Sequence, residues 1–254
     1  MFSSTIIDDS HCHRLAFEVT DIDALAQAVA LVLAQEFELA KSILLGIQPS
    51  GTAGLSGAEI DQIINRRLLN PPQFHRDGYL FQLMMWLSSH LDLPADDLIA
   101  LPHSQPSAKG QDSIIVHRTT TSVHALSICE DKATKSPRNT ITAQVWPEIK
   151  DYERGGRDDE LRSSIIATLG TAGIPMTEAI SLIRGISWAG NRRYRVRVTV
   201  GDTVISEKMF DGFASLTLNG KKDCRGETVH LPLVREWMNG FASKVETELR
   251  ALAL

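Results

Sequence analysis

Several things are scarce in this chain, and each scarcity removes a class of protein. Its three cysteines, Cys12, Cys129 and Cys224, lie far apart with no Cys-x-x-Cys pair. That spacing excludes a zinc ribbon and a thioredoxin-type motif; the odd count and the lack of a signal-peptide pattern point to a reducing, cytoplasmic setting without disulfides. The His11-Cys12-His13 cluster has no partner ligands at zinc spacing and reads as part of a solvated N-terminal tail. No run of roughly 18 apolar residues occurs, so no membrane-spanning helix is expected. Positive charge is short as well. A formal charge of −5 and a pI near 5.9 argue against a protein that coats polyanions, although a local basic strip would still serve an enzyme acting on one. A phosphate-binding P-loop, a Gly-x-Gly-x-x-Gly turn, a nucleophile elbow, a His-Glu-x-x-His helix and internal repeats are all absent, which leaves no motor and no nicotinamide site.

What remains is an ordinary globular composition, 43% apolar and 22% charged over 254 residues. Such a chain buries a large core as one domain, or as one domain with an extension. The informative stretch is Gly110–Lys132, GQDSIIVHRTTTSVHALSICEDK. Two β-branched apolar runs, Ser113 to Val116 and Val123 to Cys129, flank a Thr/Ser connection and read as paired strands. Side chains alternate along a strand, so Glu130 and Lys132 share a face and Asp131 points away. Pairing of the two strands brings Asp112 beside Glu130. Two hard carboxylates and an ammonium at one sheet end suit Mg²⁺, or Mn²⁺ in its place, and phosphodiester hydrolysis.

Upstream, Arg14 to Val19 reads as a strand, and residues 21–45 as one long Ala/Leu-rich helix packed on more than one side. A Gly/Ser/Pro connection leads to the capping box Ser56–Glu59 and a helix through Leu69, stopped at Asn70-Pro71-Pro72. Glu36, Glu38 and Glu59 read as helix-face residues. Asp77 to Leu91 forms an apolar helix whose exception is Gln82, a polar side chain that needs a partner when buried: backbone, a metal-bound water or a phosphate oxygen. Leu93 to Pro102 reads as a short helix. Lys109 adjoins Gly110, and Lys135 and Arg138 follow the proposed site, where cations would face a nucleic-acid backbone.

Further along, Thr140 to Arg154, Arg157 to Leu169 and Thr177 to Ser187 read as helices, the last capped by Thr177. Glu148-Ile149-Lys150 is a second Glu-x-Lys triplet, but its charged helical context favours Glu130 and Lys132. Asn191 to Val200 alternates as a half-buried strand with Arg193, Arg195 and Arg197 on one face. Those guanidiniums would track phosphates, bind acidic residues, or lie on a solvated face. Thr203–Glu207 and Phe213–Leu218 read as strands, and Leu231 to Leu252 as a closing amphipathic helix.

Asp112 followed by Glu130-Asp131-Lys132, with the small residues Ala133-Thr134 behind, resembles the D…(D/E)xK signature of the PD-(D/E)XK restriction-endonuclease-like superfamily. Gly78-Tyr79-Leu80-Phe81-Gln82 is similar to the helix preceding the first active-site strand in Mrr-like and antiphage-defence nucleases, and stand-alone nuclease subunits of the HamA type are nearest to the pattern. The resemblance implies an α/β fold, a mixed central sheet flanked by helices. Residues 1–72 would be an N-terminal helical extension and 73–254 the nuclease core. It implies Mg²⁺ held by Asp112, Glu130 and the main-chain carbonyl of Asp131, with Lys132 and Gln82 completing the catalytic set. DNA is the implied substrate and an ATPase or helicase the implied partner; a homo-oligomer is compatible with it. The alternative is a nuclease-like fold kept as a binding or regulatory subunit.

Overall fold

A computed structural model describes residues 1–47, 54–106, 110–184, 190–202 and 208–253. Among the described residues seven strands form one mixed sheet. They are β1 (Phe2–Ile7), β2 (His13–Val19), β3 (Leu98–Ile99), β4 (Ser113–Arg118), β5 (Val123–Lys132), β6 (Arg192–Val200) and β7 (Cys224–His230), in the order β1-β2-β7-β6-β5-β4-β3. The pairs β5/β6, β6/β7 and β2/β7 are parallel; β1/β2, β4/β5 and β3/β4 are antiparallel. The expected mixed central sheet is present. Residues 1–72 are not helical alone, because β1 and β2 extend this same sheet through β7.

Helices cover both faces. On one, Phe17 and Val229 pack with α1 (Ile22–Leu33), α3 (Gly57–Ile64), α4 (Gln73–Ser89) and α9 (Val234–Ala251). On the other, Ile114, Val116, Leu126, Ile128, Tyr194, Val196 and Val198 meet α6 (Trp146–Glu153), which follows the short α5 (Pro137–Thr140), and α7 (Asp158–Thr171) and α8 (Met176–Ile183). Because helices cover both faces of the sheet, β6 is buried along its length apart from half-buried Arg193, where burial of one face alone was expected.

The long helix expected over 21–45 is two, α1 and α2 (Phe37–Leu44), because Gln35 adopts a left-handed φ of 66° that ends the first. α1 starts on its Asp21 cap and is buried nearly all round, as its composition predicts. The Ser56–Glu59 capping box is formed in both directions, and a π turn, Asn65–Leu69, extends α3 to the prolines. The segment read as a helix after Leu93 is instead the short strand β3, paired with Ile115 and Val116 of β4. Near Thr177 the helix begins earlier, capped by Pro175. Phe213–Leu216 is a 3₁₀ turn, where a strand was expected. The expected strand Thr203–Glu207 and the end of the Thr177–Ser187 helix lie outside the described residues. Cys12 is 1% exposed beneath Gly226 rather than in a solvated tail. All three cysteines are free and buried. Among the described residues no helix is long and apolar enough to cross a membrane.

Candidate functional site at the end of the hairpin

The approach to Asp112 is pinned before β4 begins. Gly110 takes φ +120°, a conformation that strains any L side chain, and a Cβ there would stand 3.1 Å from Glu160 Oε1. The Gln111 carbonyl meets His103 Nε2 at 2.8 Å, and its side-chain amide donates to Ser164 Oγ at 2.8 Å on α7. Antiparallel pairing of Ser113 with Cys129 then sets the acidic end of β5 opposite Asp112.

Four sequence-singled residues converge there. Gln82 on α4 donates its side-chain N–H to Asp112 Oδ1. The main-chain N–H of Asp131 donates to Asp112 Oδ2 at 2.6 Å. Lys132 Nζ donates to Glu130 Oε2 at 2.9 Å and stands 3.9 Å from Asp112 Oδ2, so one ammonium bridges both carboxylates. Glu130 is 2% exposed, and its Oε1 has no hydrogen-bond partner among the described residues.

The electrostatics follow from burial. Desolvation raises the Glu130 carboxyl well above its ordinary range; Asp112 and then Glu148 add to the rise, and Lys132 opposes it. Asp112 is also raised by burial, against the pull of Lys132 and the Asp131 N–H. Burial works against the Lys132 charge, yet Glu130 and Asp112 outweigh it and keep the ammonium protonated. Glu148 is the residue missed by sequence reasoning, which met it only as part of a rival triplet. From α6 its carboxyl faces that of Glu130. Two carboxyls so placed need a proton or a cation between them.

A cleft of about 650 Å³ opens over this end of the sheet, lined by Gln82, Asp112, Lys132 and Glu148, and by Arg157 and Arg235 from α7's approach and α9. Arg157 lies over the Tyr152 ring and pairs with Glu160. Arg235 pairs with fully buried Asp77. Neither is singled out by the sequence: the anchor of Arg235, Asp77, is 158 residues away, and the local anchors of Arg157, Tyr152 and Glu160, do not by themselves place it at the cleft. Among the described residues no group of three or more His, Cys, Asp or Glu side chains is arranged to hold a metal.

The remaining expected contacts are distributed differently. The Asp131 carboxylate faces away from Glu130, as alternation requires, and is gripped by both Arg197 Nε and Nη2, the latter at 2.8 Å. Arg197 is 0% exposed and also donates to Met85 O and Ser89 Oγ. Arg195 is buried against Glu227, with Asp92 at 3.7 Å. These two arginines therefore correct the expectation of a phosphate-tracking or solvated face: they bind acidic residues of this chain. Arg138 is half-buried, its Nη1 donating to the carbonyls of Met209 and Asp211. Arg193 is half-buried in a separate pocket, beside Ser127 midway along β5. Lys135 is exposed on the loop after β5, and Lys109 lies outside the described residues.

No protein-family model matches this chain, and no curated protein matches it significantly.

Proposed function

We propose that this chain is a metal-dependent nuclease of the PD-(D/E)XK kind, cutting phosphodiester bonds of DNA. The observation that carries the reading is the convergence of Asp112, Lys132 and Gln82 on one cleft, with buried Glu130 joined to them through Lys132. A helix, α4, that brings Gln82 ahead of the strand entered through Asp112, within a mixed sheet flanked by helices, is compatible with what the resemblance implies.

The donors fit a hard divalent cation. Asp112 and Glu130 offer carboxylate oxygens, Glu130 Oε1 has no donor among the described residues, and an ammonium already stands between them as a stand-in positive charge. Two carboxylates, one of them faced by Glu148, match Mg²⁺ or Mn²⁺, which keep several waters and take substrate oxygens. When bound, such an ion supplies Lewis-acid polarisation of the phosphate and a more acidic water. The chain's own groups do the rest. Gln82 fixes the Asp112 carboxylate by donating to Oδ1, which leaves its amide oxygen to accept from a water. Lys132, held charged, neutralises the negative charge that grows on the phosphoryl oxygens. The Asp131–Arg197 pair immobilises the strand end that carries them.

With a net charge of −5, and with Arg195 and Arg197 committed inside the fold, the chain has no surplus of cations to spread along a duplex. That shortage supports a partner that presents the DNA, proposed to be an ATPase or helicase in an antiphage system of the cytoplasm. Calorimetric titration with Mn²⁺ tests the site itself. Saturable binding by the wild type that weakens at least about tenfold in Glu130→Gln is expected; equal affinity in the two proteins would remove Glu130 from the metal site and sink the proposal.

A further inference from the structure

A second constellation sits on the same hairpin, at the end away from the cleft. His117 near the end of β4 lies between Asp97 and Ser127. Its Nδ1 is 2.5 Å from Asp97 Oδ2, and its Nε2 is 2.7 Å from Ser127 Oγ. The other Asp97 oxygen accepts the main-chain N–H of Arg118 at 3.1 Å, so the carboxylate is held in place. An aspartate on Nδ1 requires the proton there, and leaves Nε2 as the acceptor for the serine hydroxyl. Burial, more than Arg193 and His124, lowers the His117 pKa despite Asp97, so the ring is a neutral base at neutral pH.

Ser127 and His117 line a pocket of about 260 Å³. Sheet register sets Arg193 beside Ser127 on the same face, and Arg193 also lines that pocket, without an ion pair among the described residues. Arg225 and Lys222 contribute further positive charge, opposed by Asp92 and Asp223. Ser127 is paired on both sides, with Ile115 and with Arg193, so its main-chain groups belong to the sheet. Charge developing on a substrate oxygen there is met by the Arg193 guanidinium, a side-chain counterpart of an oxyanion hole.

We propose that Ser127, His117 and Asp97 form a second hydrolytic site, acting on small carboxylic esters with an anionic acyl group. Ser127 Oγ bonds to the ester carbonyl carbon as its proton passes to His117 Nε2 and the carbonyl electron pair moves to oxygen. Collapse breaks the carbon–alkoxide bond, and His117 returns the proton to the leaving alcohol. Water, deprotonated by His117, then cleaves the acyl-serine and Ser127 recovers its proton, for a net conversion of ester and water to acid and alcohol. The proposal stands apart from the nuclease reading and shares no residue with it.

The test is labelling of the full chain with a fluorophosphonate, located by peptide mass spectrometry, alongside release of nitrophenol from mono-p-nitrophenyl succinate. The wild type should be labelled at Ser127. Ser127→Ala, a change that removes one oxygen, should lose the label and release nitrophenol roughly 100-fold more slowly. Arg193→Met should slow release while leaving the circular dichroism melt near that of the wild type. An unlabelled wild type, labelling that persists in Ser127→Ala, or equal release by both proteins overturns the proposal, and leaves the chain of hydrogen bonds as a clamp between β3 and the hairpin.

Discussion

Replacing Arg197 with Met should destabilise the fold far more than it disturbs any contact with nucleic acid. The guanidinium is 0% exposed, pairs with both oxygens of Asp131, and donates to Met85 O at 2.8 Å and Ser89 Oγ at 2.7 Å. Methionine fills a similar stem but leaves Asp131, itself 4% exposed and already raised to about 7 by burial, without the guanidinium that opposes that rise, so its carboxyl must stay buried either unpaired or protonated. Removing one partner of a buried pair costs about 3–5 kcal/mol, which for a chain of this size lowers Tm by roughly 6–20 °C. Changing both partners removes the stranded carboxyl. Asp131→Leu with Arg197→Met should therefore recover most of the loss and retain the Asp131 main-chain N–H that holds Asp112. Urea denaturation of the wild type, both single variants and the double variant yields the coupling directly. A loss below about 1 kcal/mol in Arg197→Met, with a shallower salt dependence of DNA affinity, would refute the assignment of Arg197 to the core.

Two other perturbations probe parts of the same framework. His90 packs edge-on against Trp86 with ring centroids 4.4 Å apart, its Nε2 has no partner among the described residues, and burial lowers its pKa from 6.5 to about 4. The folded state resists this proton, so stability that is present above the unfolded value is lost as pH falls through that window, by up to about 3 kcal/mol. His90→Leu should move the acid-unfolding midpoint to lower pH, and an unchanged midpoint would contradict the linkage. Gly226 on β7 leaves no room for a side chain, because a Cβ would lie 2.7 Å from the Phe210 ring and 2.8 Å from Cys12 Sγ. Gly226→Ala should cost about 1–3 kcal/mol in thermal melts, and Phe210→Leu beside it should return part of that; a neutral Gly226→Ala would show the contact to be slack.

Local patterns were legible where a segment's own composition decided its structure. The Ser56–Glu59 box, the alternation of β6 and the hairpin carrying Asp112 and Glu130 could all be read because their determinants lie within a few residues of one another. β7 escaped notice: Cys224–His230 contains Arg225 and Glu227, and nothing local reveals that the Glu227 carboxylate is buried against Arg195, 32 residues away. The arginines of β6 were placed on a face correctly, but their partners, Asp131 and Glu227, come from neighbouring strands, so their burial could not be seen. Glu148 illustrates the same limit at the site. Its triplet looked like a competitor for Glu130 and Lys132, whereas α6 folds it across to face Glu130. The break after α1 depends on a left-handed Gln35, at a position where composition favours continued helix.

Cleavage of labelled plasmid, linear duplex, single-stranded DNA and RNA by the wild type and Lys132→Ala, each with Mg²⁺, Mn²⁺ or EDTA, tests the central claim most directly. The account predicts cutting of DNA by the wild type with metal alone, abolished by EDTA and reduced at least roughly 100-fold in Lys132→Ala without a change in the melt. Equal, metal-dependent cutting by both proteins would contradict it.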